Sequence, residues 1–206
     1  MKIKPFILTL AVLTAITFSA CDSSKQNSQT SENTSSIAIS EPKEGTFDIE
    51  YVRKQINIKG QAFEIPMALK DLPEGWTWKE HENTKYCDEG HGLAYIYYND
   101  KEMFVVGLEN YYKKAEGDGI VYNLTIETED CSIDGLLPIK STKQDVVGKY
   151  GEPVKINKYG SYYYGTVNDS DSIGGIINEQ RICVEINDDD TIKSISITYA
   201  DLTKEN

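Results

Sequence analysis

The sequence IKSTKQDVVGKYGEP, residues 139–153, carries several helix signals that agree with one another. Ser141 can cap the N-terminus of a helix, and Gln144, three residues later, can complete a capping box. Gly151 tolerates the left-handed conformation that ends many helices, and Pro153 cannot continue one. An apolar stripe at helical spacing lies between these signals and consists of Val146, Val147 and Tyr150. The stretch therefore predicts one complete short helix with an apolar side.

Strand-like segments follow this helix to the end of the chain. Tyrosine and β-branched residues recur in residues 159–167, 181–187 and 191–199, a composition that favours strands. Three aspartates at 188–190 separate the last two segments, and aspartate is favoured in turns. This part of the chain predicts one helix laid on a three-stranded antiparallel meander.

The preceding part of the chain shows the same order of elements. Residues 56–65 alternate around a Lys-Gly pair, which predicts a hairpin, and residues 66–72 predict a brief helix that starts at proline. Strands are predicted at 93–98, 102–108 and 119–127, after a loop at 79–92.

The fold class that follows is α+β, with short helices packed on antiparallel three-stranded meanders. Residues 46–130 and 131–206 form two halves that look like tandem, diverged α-β-β-β repeats. Strands 93–98 and 102–108 are apolar on both faces, so we expect them to be covered on both sides. In residues 119–127 the alternation predicts a core-facing set, Ile120, Tyr122, Leu124 and Ile126.

Residues 1–20 have the three parts of an export signal, with two lysines, an apolar run over residues 6–18, and small residues before Cys21. The apolar run is shorter than a typical membrane span. The ending FSAC resembles the lipobox of bacterial lipoproteins, which implies a lipid attached to Cys21 after export. An ordinary cleaved signal followed by an incidental cysteine is the alternative.

A polar tract follows Cys21 and begins DSSKQNSQTSENTSS. Such a composition cannot bury apolar surface, so residues 21–45 are expected to form a disordered tether. Asp22 resembles the inner-membrane retention signal of Gram-negative lipoproteins. We therefore expect an exported protein anchored to the outer face of the cytoplasmic membrane, in the periplasm if the host is Gram-negative.

The net charge argues against one class of partner. The chain of 206 residues has a formal net charge of −12 and no basic stripe. Such a surface repels phosphate backbones, so nucleic-acid binding is not expected.

A second resemblance rests on the pattern S-T-K-x-D-V-V-x-K-Y-G-x-P followed by a meander. It resembles the β-lactamase-inhibitor-protein-like fold shared with small outer-membrane-assembly lipoproteins. The matching residues are Ser141, Asp145, Val146, Tyr150, Gly151 and Pro153. The resemblance implies a protein-binding module without a catalytic site.

Three cysteines remain after Cys21, namely Cys87, Cys131 and Cys183, so at most one intramolecular disulfide can form. Cys87 and Cys131 lie in loop-like stretches and Cys183 in a strand. A bridge between Cys87 and Cys131 is the first candidate among the three pairings.

His81, Cys87 and His91 are candidate metal ligands because they fall in one predicted loop. Their spacing is irregular, and loop residues that include histidine by chance are commoner, so no metal or cofactor is predicted. The acidic groups at 168–171 and 188–190 lack the glycine and distal glutamate of a calcium loop and are interpreted as turns.

Clustered tyrosines are the best lead to a function, because exposed tyrosines often anchor protein interfaces. The candidates are Tyr95, Tyr97, Tyr98, Tyr162, Tyr163 and Tyr164. No nucleophile motif accompanies them, so we expect a binding module for a protein or envelope component and not an enzyme. The alternatives are an enzyme or solute-binding lipoprotein whose site is assembled from sequence-distant residues, and a metal-binding lipoprotein that uses residues 81–91.

Overall fold

A computed structural model describes residues 40–111, 119–167 and 179–200. The predicted leader, most of the predicted tether and the acidic group at 168–171 therefore lie outside the described residues. The described residues belong to one compact unit that consists mostly of antiparallel strands, with short helices, so the fold is α+β with more strand than helix.

Twelve strands are described: β1 (Ile56–Ile58), β2 (Gln61–Phe63), β3 (Met67–Ala68), β4 (Trp76–Glu80), β5 (Gly90–Tyr98), β6 (Lys101–Tyr111), β7 (Ile120–Ile126), β8 (Cys131–Ile133), β9 (Lys155–Ile156), β10 (Tyr162–Gly165), β11 (Gln180–Ile186) and β12 (Ile192–Tyr199). The α-helices are α1 (Ile49–Val52) and α2 (Lys143–Tyr150), and 3-10 helices span Leu69–Asp71 and Glu82–Tyr86.

The main sheet has the strand order β4-β5-β6-β7-β12-β11-β10-β9, and every neighbour is antiparallel. Strand β3 pairs with the start of β7. Two meanders, β4 to β7 and β9 to β12, therefore meet where β7 pairs with β12, with Leu124 opposite Ile197. A small second sheet has the order β2-β1-β8.

One face of the main sheet is covered by α1, α2 and the small sheet. Phe63 of β2 packs 5.2 Å from Trp76 and 5.1 Å from Phe104, measured between ring centroids. Tyr150 of α2 packs 5.4 Å from Tyr164 in the same way. These contacts belong to one continuous hydrophobic core, so strands from residues 46–130 and from 131–206 share both the sheet and the core.

Helix α2 forms where the sequence predicts a helix, but a different residue caps it. The Thr142 hydroxyl accepts from the Asp145 amide at 3.3 Å, and the Asp145 carboxylate accepts from the Thr142 amide at 2.7 Å. The predicted capping residue, Ser141, instead accepts a hydrogen bond from the Leu137 amide at 3.0 Å. The predicted end is confirmed, because Gly151 follows the helix at φ +78°.

Local hairpins are predicted well, and several strand details are not. The hairpin at Lys59 and Gly60 forms, as does the turn that joins β5 to β6. The predicted loop at 79–92 is wrong, since it contains the end of β4, a 3-10 helix and the start of β5. The predicted helix at 66–72 is reduced to β3 and the 3-10 helix Leu69–Asp71.

A register shift in β7 overturns its predicted alternation. The shift lies opposite Gly107 and Leu108 of β6. It places Val121 in the core with no exposed surface, whereas Tyr122 is only half-buried. The extra residue of a bulge reverses the side to which the preceding residues point.

Candidate functional site

The second face of the main sheet is the candidate site, and we call it the open face. Its side chains are half-buried or exposed, whereas those on the covered face are mostly buried. Strand pairing places these residues on it: Leu93, Tyr95, Tyr97, Met103, Val105, Asn123, Thr125, Ser196, Arg181, Cys183 and Tyr163. The predicted cover on both sides of β5 is therefore wrong among the described residues.

Polar neighbours hold the aromatic rings at the β4 and β5 end of the open face. The Tyr95 hydroxyl donates to Glu82 at 2.9 Å, and the His81 ring stacks on the Tyr95 ring with centroids 4.4 Å apart. The Lys79 ammonium lies 4.9 Å from the centroid of the Tyr97 ring. The hydrogen bond to Glu82, with some burial, raises the pKa of the Tyr95 phenol, which stays a neutral donor. These contacts reduce the entropy that the rings would lose on binding.

A cavity of about 440 Å³ lies over β6 and the end of β7, where the β1–β2 turn and the start of β8 approach the main sheet. Gly107 lies in its wall at a closely packed position, because a β-carbon there would lie 3.2 Å from the Asn123 β-carbon and 3.3 Å from the Tyr122 ring. Apolar side chains line part of the wall and include Leu93, Met103 and Val105.

The polar residues of this cavity are held by the sheet. The side-chain amide nitrogen of Asn123 donates to the Thr198 hydroxyl at 2.8 Å and to the Ile197 carbonyl at 3.1 Å. The hydroxyls of Thr125 and Ser196 are 2.8 Å apart. The cavity therefore combines an apolar wall with fixed polar groups, which suits an inserted apolar side chain flanked by backbone. We call it the Gly107 groove.

The opposite end of the open face carries Tyr163, Arg181 and Cys183. The Arg181 guanidinium lies 5.0 Å from the centroid of the Tyr163 ring, and the Tyr163 hydroxyl accepts from Asn157 at 3.1 Å. Burial raises the pKa of the Cys183 thiol. A protonated thiol is a poor nucleophile at neutral pH.

The structure divides the six predicted tyrosines between the two faces. Tyr95, Tyr97 and Tyr163 lie on the open face. The other three lie on the covered face, where Tyr162 and Tyr164 are buried and Tyr98 packs 5.0 Å from Trp76. Alternation along each strand requires this division. The sequence does not indicate the groove, because Gly107, between a valine and a leucine, has the pattern of an ordinary strand position.

The predicted loop residues His81, Cys87 and His91 are not arranged as metal ligands. His81 Nδ1 accepts a hydrogen bond from the Asn83 amide at 3.0 Å, and the His91 ring packs 6.3 Å from that of Tyr122. Across residues 40–111, 119–167 and 179–200, no three His, Cys, Asp or Glu side chains form a group that could hold a metal ion.

The predicted disulfide between Cys87 and Cys131 is not formed. Both cysteines are free, as is Cys183. Cys131 is buried in β8 of the small sheet, whereas Cys87 lies between the 3-10 helix and β5. The aspartates at 188–190 form the predicted turn, in which the Asp189 carboxylate accepts from the Thr191 amide at 3.1 Å.

A larger polar cleft of about 820 Å³ lies between residues 41–46, the turn after β8 and α2. In its wall, Asp134 Oδ1 is 3.2 Å from Lys149 Nζ. Burial raises the pKa of the Asp134 carboxyl, and Lys149 opposes that rise. Burial and the charge of Asp134 hold the pKa of the Tyr150 hydroxyl well above its usual range. The Tyr150 hydroxyl is buried and forms no hydrogen bond with any of the described groups.

In the part of the chain that the structure describes, no helix is both long and apolar enough to cross a bilayer. A comparison of the whole chain with known proteins finds no matching family model, no matching curated protein and no matching solved structure.

Proposed function

We propose that this protein is a lipid-anchored, extracytoplasmic binding module that docks a protein or envelope component on the open face and catalyses no reaction. The observation that carries the proposal is the Gly107 groove, set between aromatic residues whose positions are already fixed. A partly apolar cavity beside anchored aromatic side chains suits the centre of a protein-binding surface. Bound partner side chains would enter the groove between Leu93 and Val105.

The anchor in this proposal is the lipid on Cys21. Its support is the sequence FSAC after an export signal and the polar tract that follows. A tether of some twenty flexible residues has a span of roughly 25 Å. The folded unit would then stand close to the outer face of the cytoplasmic membrane, and the open face would be available to partners there.

We further infer that the fold is a diverged tandem repeat of α-β-β-β type. Lys59 and Gly60 turn between β1 and β2 at φ +51° and +87°, and Asp134 and Gly135 turn after β8 at φ +51° and +77°. Each turn is followed by a short helical segment and then a four-stranded meander, and the last strands of the two meanders pair. Two related halves joined through their last strands explain this order.

The experiment is site-specific photo-cross-linking in cells that express the full chain. Benzoylphenylalanine placed at Tyr97 or Val105 should give the same protein or envelope adduct. The same probe at Gln144 or Ile139, which are exposed on α2 and just before it, on the covered side of the sheet, should give none. Val105→Arg, which fills the groove, should abolish the adduct formed from Tyr97. Adducts of equal yield from all four positions would refute the docking surface.

The polar cleft supports a second candidate function, binding of a small cationic solute. Its lining has four carboxylates, Glu41, Glu44, Asp134 and Asp145, against Lys140 and Lys149. Spermidine is a suitable probe, and isothermal calorimetry should then detect binding that Glu41→Gln weakens. If calorimetry detects no binding of spermidine, or if Glu41→Gln does not weaken that binding, the polar cleft is not a site for cationic solutes.

A further inference from the structure

Strand β9 is one edge of the main sheet among the described residues, and an exposed apolar segment lies along it. Val154, Ile156 and Tyr159 are 64%, 54% and 78% exposed, and they account for half of the large hydrophobic residues that are exposed among those described. The opposite edge, β4, instead exposes Thr77, Lys79 and Glu80. Charged residues normally protect sheet edges from association; β4 exposes Lys79 and Glu80, whereas β9 exposes Ile156 and half-buries Lys155.

A rigid turn presents the tip of this segment. The Asn157 carboxamide oxygen accepts from the Tyr159 amide at 2.9 Å and from the Ser161 amide at 3.0 Å. The Gly160 amide donates to the Asn157 carbonyl at 3.0 Å. Tyr159 is thus displayed at a fixed position, and no local rearrangement is needed to expose it.

The local charge of this segment differs from that of the whole chain. Residues 153–163, PVKINKYGSYY, contain two lysines and no acidic residue, although the chain has a net charge of −12. Lys158 lies 5.0 Å from the centroid of the Tyr159 ring. Apolar side chains next to lysine and tyrosine are the combination that binds the interface of an anionic bilayer.

An early segment of the described chain also passes beside this edge. The Gly45 amide donates to the Lys149 carbonyl at 3.0 Å, and the Gly45 carbonyl lies 2.7 Å from the position of a β-carbon on Gly151. Residues 45–47 therefore lie at the end of α2, directly before the exposed segment. A chain tethered through its N-terminal part would hold this edge near the membrane.

We propose that residues 154–159 rest on the surface of an anionic phospholipid bilayer, as a second contact beside the lipid anchor. The contact rests on the proposed function in one respect, because the anchor supplies the nearby membrane. The contact lies at the β9 edge, whereas the Gly107 groove lies on β6 and β7, so the groove stays free for a partner. The β9 edge then orients the protein on the membrane, and the open face binds the partner.

Vesicle binding without the anchor tests the contact. The protein is residues 21–206 with Cys21→Ser, which retain the whole compact unit, mixed with vesicles of equimolar phosphatidylglycerol and phosphatidylcholine. Tyr159→Trp should show fluorescence that brominated lipids quench. Tyr86→Trp is the matched control, because Tyr86 is 77% exposed and also lies against a lysine, 4.8 Å from Lys85. Equal quenching in both variants, or in neither, would overturn the proposal.

Charge and apolar variants test which groups make the contact. Lys158→Gln should lower vesicle partitioning about fivefold at low salt. Ile156→Glu should lower it further, whereas Ile139→Glu, at a position 57% exposed, should leave it unchanged. Circular dichroism checks that each variant is folded. A loss that is equal for Ile156→Glu and Ile139→Glu would contradict a specific contact.

Two further outcomes separate this contact from the anchor and from a protein partner. Labelled fatty acid should be incorporated into the native protein and not into Cys21→Ser. If neither protein is labelled, the proposed lipid anchor is wrong. The vesicle experiments still test the membrane contact, because they use the protein without the anchor. A photo-cross-linker at Ile156 that captures a protein, in a chain that does not bind vesicles, would show that the β9 edge is a protein contact and overturn the membrane proposal.

Discussion

Asp134 and Lys149 join the turn after β8 to the last turn of α2, with Oδ1 and Nζ 3.2 Å apart. The Asp134 side chain is only 8% exposed, and that of Lys149 is 34% exposed. A carboxylate so far removed from water is costly unless a cation compensates it. This ion pair therefore fixes how α2 sits against the small sheet, and it forms one wall of the polar cleft.

Lys149→Met should destabilise the protein at neutral pH by about 1–3 kcal/mol, because Asp134 would remain buried without its cation. Lys140→Met is the matched control. Its partner is Glu129 at 3.3 Å, and both side chains are more than half exposed, so the loss should stay below about 1 kcal/mol. Urea unfolding measures both variants. Equal losses would mean that the burial of Asp134 has no energetic consequence.

The pH dependence of Asp134→Asn follows from the raised pKa of Asp134 in the folded protein. The contribution of Asp134 to stability is fully present below its unfolded pKa of about 3.9 and is lost as pH rises through the folded pKa. The unfolding free energy of wild type minus that of Asp134→Asn should therefore fall as pH rises through that window. Chemical denaturation at a series of pH values measures it. A difference that rises with pH would show that Lys149 outweighs burial.

Thr142→Ala should cost about 1 kcal/mol, because it removes the hydroxyl that caps α2. Gln144→Ala should be close to neutral, since Gln144 is exposed and does not take part in the observed capping box. Thermal unfolding of the two variants distinguishes the cap in the structure from the one that the sequence predicts. A larger loss for Gln144→Ala would favour the predicted cap.

The position of this cap shows where sequence reasoning stops. Ser141 with Gln144 and Thr142 with Asp145 both match a capping pattern, so local spacing cannot choose between them. Tertiary contacts decide, because Thr142 forms a bridge with Thr191 and the Lys143 amide donates to the Asp190 carbonyl at 2.9 Å.

The same distinction holds for the sheet and the candidate site. Hairpins such as β1 with β2 were predictable because their turn residues lie next to their strands. The pairing of Leu124 with Ile197 joins residues far apart in sequence, and no local pattern indicates it. Tyr95 and Tyr97 were identified as candidates, but Gly107 became visible only when β6 was placed beside β7.

The three cysteines of the folded unit should react as free thiols. Alkylation under denaturing conditions without a reductant should label the peptides that contain Cys87, Cys131 and Cys183, as peptide mass spectrometry can show. In the native protein Cys87 should react faster than Cys131, because only Cys131 is buried. A peptide pair linked through Cys87 and Cys131 would restore the disulfide predicted from sequence.

Two glycines near the end of α2 should respond oppositely to alanine. A β-carbon on Gly148 meets nothing within 4 Å, so Gly148→Ala should stabilise the protein by up to about 1 kcal/mol through helix propensity. Gly151 has φ +78°, and a β-carbon there would lie 2.7 Å from the Gly45 carbonyl. Gly151→Ala should therefore destabilise by at least about 1 kcal/mol and speed proteolysis within residues 40–46. Urea unfolding and limited proteolysis measure both effects, and equal protection of that segment in the two variants would show that Gly151 does not hold it.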